Sequence, residues 1–131
     1  MAEELSALTH LRELSLSYNR INGSIPLALY ELKQLEVLNL SYNQKLTGSL
    51  FPDSLTRAWN GWINLVTWDL ASCGIIGTIG THIGRLAYLQ ELYLQENSLT
   101  GSIPEPMGSL WHLETIDLSK YFLCRTTERL G

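Results

Sequence analysis

The stretch LAYLQELYLQENSLTGSIP, residues 86–104, decides how this chain folds. Leu92 and Leu94 alternate with Tyr93, as in a short strand with one buried face. Asn97 follows where the chain turns out of that strand, and then come Leu99, Gly101, Ile103 and Pro104. Glycine supplies the turn with backbone freedom, and proline fixes φ and ends strand pairing. The same frame recurs outward from this stretch in both directions. Upstream it reads Leu8, Leu11, Leu14, Leu16, Asn19, Ile21, Gly23, Ile25, Pro26, and again Leu32, Leu35, Leu38, Leu40, Asn43, Leu46, Gly48, Leu50, Pro52. A third copy reads Trp62, Leu65, Trp68, Leu70, Cys73, Ile75, Gly77, Ile79. A last partial copy runs Leu110, Leu113, Ile116, Leu118, Tyr121, Leu123. Repeats therefore start at 8, 32, 62, 86 and 110, with three steps of 24 residues and one of 30.

A unit this short cannot close a core alone, so its inward leucines must bury on those of the next copy. Asn19, Asn43 and Asn97 are expected to form a buried ladder satisfying backbone groups of the turns, with Cys73 replacing one rung by a weak S–H donor. The frame is L-x-x-L-x-L-x-x-N/C-x-L, the pattern of a leucine-rich repeat. With its L-x-G-x-I-P extension it closely resembles the plant-specific class of these repeats. That class forms the ectodomains of receptor-like kinases and receptor-like proteins, and also soluble polygalacturonase-inhibiting proteins. The resemblance spans residues 8–123. The fold expected is an α/β-type solenoid, a horseshoe segment with short parallel strands on the concave face and loops or 3-10 turns on the convex face. Residues 1–7 form a lead-in and 124–131 a tail.

The frame has departures. Repeat two, residues 32–61, carries six extra residues around FPDSLTRAWNGWINL. Trp62 takes a leucine slot and is expected in the core. Trp59 has no slot, and either packs over the widened loop or anchors a partner at the surface. Gly80 stands where proline is expected, and Tyr121 where the ladder Asn is expected. The plant family caps its ends with paired cysteines, and neither pair is present here. Cys73 and Cys124 lie two repeats apart, ~9–10 Å at strand spacing, which is beyond disulfide reach. Both are expected free, with Cys73 buried. Phe122, Leu123 and Leu130 would form either an improvised cap or an exposed edge.

Composition excludes several functions. Hydrophobic content is 45% and charged content 17%, as in a folded domain. Net charge is −4 with cations scattered singly, so no nucleic-acid footprint is supported. No stretch approaches the ~20 apolar residues of a membrane span, and MAEELSALTH lacks the apolar core of a secretory signal. His10, His82 and His112 have no ligand neighbours at metal spacing, and no phosphate loop or nucleophile triad is legible. No metal, cofactor or catalytic residue is expected, and the chain reads as a non-enzyme.

Function must then lie on the outward strand residues, the usual binding face of such solenoids. Between the two strand leucines stand Ser15, Asn39, Asp69, Tyr93 and Asp117. Before the first stand Glu13, Val37, Thr67, Glu91 and Thr115, and after the second Ser17, Ser41, Ala71, Gln95 and Ser119. Tyr18, Tyr42, Ser72, Glu96 and Lys120 follow on one rim, and Arg12, Glu36, Val66, Gln90 and Glu114 lie on the other. The candidate ligand-binding residues are Glu13, Ser15, Asn39, Asp69, Glu91, Tyr93, Gln95, Glu96, Glu114 and Asp117. Towards the C-terminal repeats this face is acidic, and a basic peptide or protein is its complement.

Two sequons place candidate glycosylation at Asn22, in the turn after the first strand, and at Asn39, where a glycan would crowd the concave face. The resemblance implies a receptor-like ectodomain in signalling or defence, with a protein or peptide ligand and a co-receptor. It also implies the outer face of the plasma membrane, reached through segments outside this chain. The chain is then a fragment or truncated relative of a longer protein. A soluble enzyme inhibitor using the same face and a cytosolic scaffold are the alternatives.

Overall fold

The computed structural model describes residues 8–119 and the backbone of 122–123. Each repeat contributes one strand to each of two parallel sheets. The first sheet comprises β1 (Glu13–Ser15), β3 (Val37–Asn39), β5 (Thr67–Asp69), β7 (Glu91–Tyr93) and β9 (Thr115–Asp117), stacked in that order. The second runs β2 (Asn22–Ser24), β4 (Lys45–Gly48), β6 (Gly74–Gly77), β8 (Ser98–Gly101) and β10 (Phe122–Leu123). This second sheet adds to the expected solenoid of parallel strands on one face and 3-10 turns on another. Once the first sheet fixes the spacing of successive copies, equivalent L-x-G segments also lie one strand apart and pair in parallel. Three 3-10 helices, Leu27–Glu31, Thr81–Arg85 and Glu105–Ser109, close the third side of their coils.

The leucine columns form the core. Leu38, Leu92, Leu65, Leu70 and Leu99 are fully buried, and Leu40 and Leu94 nearly so. Leu14 and Leu16 of the first repeat are only partly buried, and so are Ile116 and Leu118 of the last described one.

The ladder forms where a rung has neighbours. Asn43 Nδ2 donates to Leu16 O (3.0 Å) and Leu40 O (2.9 Å), while its Oδ1 accepts from Ile21 N (3.1 Å). Asn97 repeats this with Leu70 O, Leu94 O and Ile75 N. Cys73 is a free, buried thiol donating to Leu40 O at 3.2 Å. Burial pushes its pKa up. Asn19 departs from expectation. It is exposed and bonds only Leu16 O and Ser17 O of its own repeat, because no preceding turn among the described residues offers an N–H to its Oδ1.

The extra residues of repeat two are absorbed by an aromatic cluster. Trp62 stacks on Tyr30 (4.7 Å) and meets Trp68 edge-on (4.9 Å), and Phe51 fills the space beside Tyr30, Trp59 and Trp68. Trp59 is buried, with its indole N–H on Tyr30 O (2.9 Å), so it is packing and not a surface anchor. Trp62 lies in the core as expected and donates to Leu29 O (2.8 Å). The buried indole N–H of Trp68 has no partner among the described residues.

Gly80 is not a simple loss of proline. Pro26 and Pro104 precede their 3-10 helices with φ of −57° and −69°, whereas Gly80 enters its helix at +87°. The backbone there takes a conformation that proline cannot adopt. Lys120, Tyr121, Cys124 and Leu130, the lead-in, the tail and the side chains of Phe122 and Leu123 lie outside the described residues.

Candidate functional site

Register sets the exposed face of the first sheet. Val37, Thr67, Glu91 and Thr115 align in one column, and Asn39, Asp69, Tyr93 and Asp117 in the next. The pairing of β1 with β3 adds Glu13 to the first column and Ser15 to the second. The columns anticipated from the repeat frame are therefore those in the fold.

Local chemistry stiffens the acidic end. Asp69 Oδ1 accepts from Ala71 N (2.9 Å), and Asp117 Oδ1 accepts from Ser119 N (2.9 Å). Asn39 makes the same turn with Ser41, accepting from its N (3.0 Å) and its hydroxyl (2.7 Å). In each case one side-chain oxygen caps a turn two residues on, as short polar side chains do. Glu91 spans both columns. Its Oε1 accepts from Thr67 Oγ1 and its Oε2 from the Tyr93 hydroxyl, each at 3.0 Å. Glu96, on the rim, accepts from Ser72 Oγ at 2.6 Å.

The carboxylates influence one another. Burial raises the Asp69 pKa, the Ala71 N–H opposes this, and Glu91 adds to the rise. The Tyr93 hydroxyl is raised chiefly by its bond to Glu91. Both effects favour the form that carries less negative charge. Gln95 Oε1 is enclosed and has no partner among the described residues.

The structure thus brings Asp69, Glu91, Tyr93, Gln95, Glu96 and Asp117 onto the third to fifth repeats, with Glu114 exposed on the opposite rim. It does not bring Glu13 and Ser15 to them. Three strand spacings separate Glu13 from Glu91, ~14 Å. Asn39 lies between, half-buried and committed to Ser41. Asn22 is exposed, but it opens β2 and does not sit in a turn.

Tyr18 and Tyr42 share a rim slot, and their pairing becomes visible only in the fold. They stack at 4.4 Å with planes 5° apart, both exposed. The signal was their shared slot, in which all four described occupants, Tyr18, Tyr42, Ser72 and Glu96, have φ of 54–59°. That repeated left-handed turn aligns successive side chains. No three His, Cys, Asp or Glu residues among the described ones gather as metal ligands, and no described helix is long and apolar enough to cross a membrane.

Repeating coils, a two-sheet solenoid and an Asn/Cys ladder define a leucine-rich repeat protein, and the chain belongs to that family. Family models described as "Leucine Rich repeats (2 copies)" and "Leucine Rich Repeat" match residues 9–55 and 88–110. Phytosulfokine receptor 1 of Arabidopsis thaliana is 32% identical over 90% of this chain, which spans 13% of that protein. Adenylate cyclase of Schizosaccharomyces pombe is 35% identical over 86% of the chain, but over only 5% of the cyclase. The solved structure of the Arabidopsis receptor kinase HAESA, in complex with the peptide hormone IDA and the co-receptor SERK1, superposes with a TM-score of 0.80. It is 36% identical, over 92% of this chain and 19% of that one. The repeats thus resemble those of plant receptor ectodomains, and the chain spans a small part of its relatives.

Proposed function

We propose that this chain is a recognition segment of a plant cell-surface receptor-like protein or receptor-like kinase, and that it binds a basic peptide or protein segment on its concave face. One observation carries the reading. Asp69, Glu91 and Asp117 share a rigid two-column surface with Tyr93, and all four side chains are pinned by hydrogen bonds within the sheet or its turns. A preordered acidic surface around an aromatic ring steers a cationic partner and anchors it. The likeness to receptors, one of them solved with a peptide hormone and a co-receptor, supports a peptide ligand and a second protein partner. The role is binding, not catalysis, at the extracellular face.

The test is direct binding of an array of short Lys/Arg-containing peptides to the purified chain. The double variant Glu91→Lys/Asp117→Lys should lose the peptides that the parent retains, and parent binding should weaken as salt rises. Unchanged affinity in the double variant would falsify the assignment of this face.

A further inference from the structure

The six-residue insertion builds something that the repeat frame does not. Its loop is held from below by Trp59, whose backbone N–H donates to Thr56 O (3.1 Å) and whose indole donates to Tyr30 O (2.9 Å). The loop is thereby laid over the 3-10 helix Thr81–Arg85 of the next repeat. His82 Nε2 donates to Thr56 O at 2.9 Å, and the Arg85 guanidinium donates to Arg57 O. On the far side Pro106 closes onto Gly84, where an added Cβ would lie only 2.6 Å from Pro106 Cβ. Between these parts lies a notch of ≈580 Å³ lined by Arg57, Thr81, His82, Gly84, Arg85 and Pro106.

Its charge opposes that of the molecule. The chain carries −4 overall, yet the lining residues include two arginines and a histidine and no acidic residue. The clamp does not consume these donors. Arg85 uses one N–H of its five on Arg57 O, and the Arg57 side chain bonds nothing among the described residues. Two guanidinium forks beside a threonine hydroxyl match the planar or tetrahedral oxyanions that arginine recognises bidentately. The volume exceeds that of a bare ion and suits a small polar ligand carrying one.

We propose that the insertion creates an oxyanion-binding notch on the 3-10 side of the solenoid, in which Arg57 and Arg85 grip a carboxylate, sulfate or phosphate group of a small polar ligand. This site is independent of the concave face. Calorimetric titration of the whole chain with galacturonate, inorganic sulfate and inorganic phosphate tests it, with galactose as the neutral control.

At least one anion should bind 1:1 and saturate by about 10 mM, and galactose should not bind. Galacturonate alone identifies a carboxylate ligand, and sulfate or phosphate alone a tetrahedral ester. Arg57→Ala should weaken binding about tenfold without moving the melting temperature, since its guanidinium has no structural partner. Arg57→Lys should restore only part of it, because the fork is lost. Arg20→Ala, between β1 and β2 of the first repeat and outside the notch lining, should leave binding intact. No saturation by any anion, unchanged binding in Arg57→Ala, or equal losses in the Arg57 and Arg20 variants would each overturn the proposal.

Discussion

At the scale of single residues, identical letters in the frame carry different energies because their neighbours differ. Asn97 gives its amide and its oxygen to backbone groups of two repeats while buried, whereas Asn19 is exposed and bonds only its own. Removing Asn97 strands buried partners, and each stranded group costs about 1–3 kcal/mol. Urea unfolding should show Asn97→Ala losing about 3 kcal/mol and Asn19→Ala less than about 1 kcal/mol. Asp69 gives a prediction in pH. Its folded pKa stands above the ordinary 3.8, so the native state holds this proton more tightly than the unfolded chain does. Stability therefore falls as pH climbs from the ordinary value through the raised one. Asp69→Asn removes that fall. The stability of the variant relative to the parent should rise across that window and then level off. A flat difference would show that Asp69 does not titrate as its burial requires.

At the scale of elements, the insertion and the 3-10 helix after it act together. The repeat pattern recommends proline at position 80, because Pro26 and Pro104 fill the equivalent slot. The backbone forbids it, since φ at Gly80 is +87° and a proline ring holds about −65°. Gly80→Pro should therefore destabilise the chain by at least about 2 kcal/mol in thermal or denaturant unfolding, although it restores the consensus. A neutral result would mean that the helix Thr81–Arg85 re-forms with a different entry. Its placement also decides whether His82 and Arg85 reach the insertion, so the variant should disturb the oxyanion notch as well.

At the scale of the whole molecule, stability in a solenoid comes from each repeat and its neighbours. The middle repeats bury both strand leucines almost completely, while Leu14 and Leu16 remain partly exposed. Local opening should follow that gradient. Amide hydrogen exchange should be slowest at Leu40 and Leu70, which donate to Asp69 O and Tyr93 O within the middle of the sheet. It should be faster at Leu16, whose bond to Asn39 O joins the partly buried first repeat to the second. Uniform protection from Leu16 to Leu70 would mean that the solenoid opens as one block.

The sequence by itself determined the coil. Its period, the inward leucines, the exposed columns of the first sheet and the place of the insertion were all legible, because each depends on spacing along the chain. The acidic end of the concave face was legible for the same reason, since Asp69, Tyr93 and Asp117 share a slot and so must share a column. Tertiary structure alone decided which rungs of the Asn ladder are buried, that Trp59 packs inward, and that the L-x-G segments form a second sheet. It also decided that Tyr18 stacks on Tyr42 and that Arg57, His82 and Arg85 meet across two repeats. Those outcomes depend on groups some 22 to 29 positions apart, as with Ile75 and Asn97 or Trp59 and Tyr30, and on what space the neighbouring coil leaves. Spacing fixes the direction of a side chain, but only packing settles what it meets.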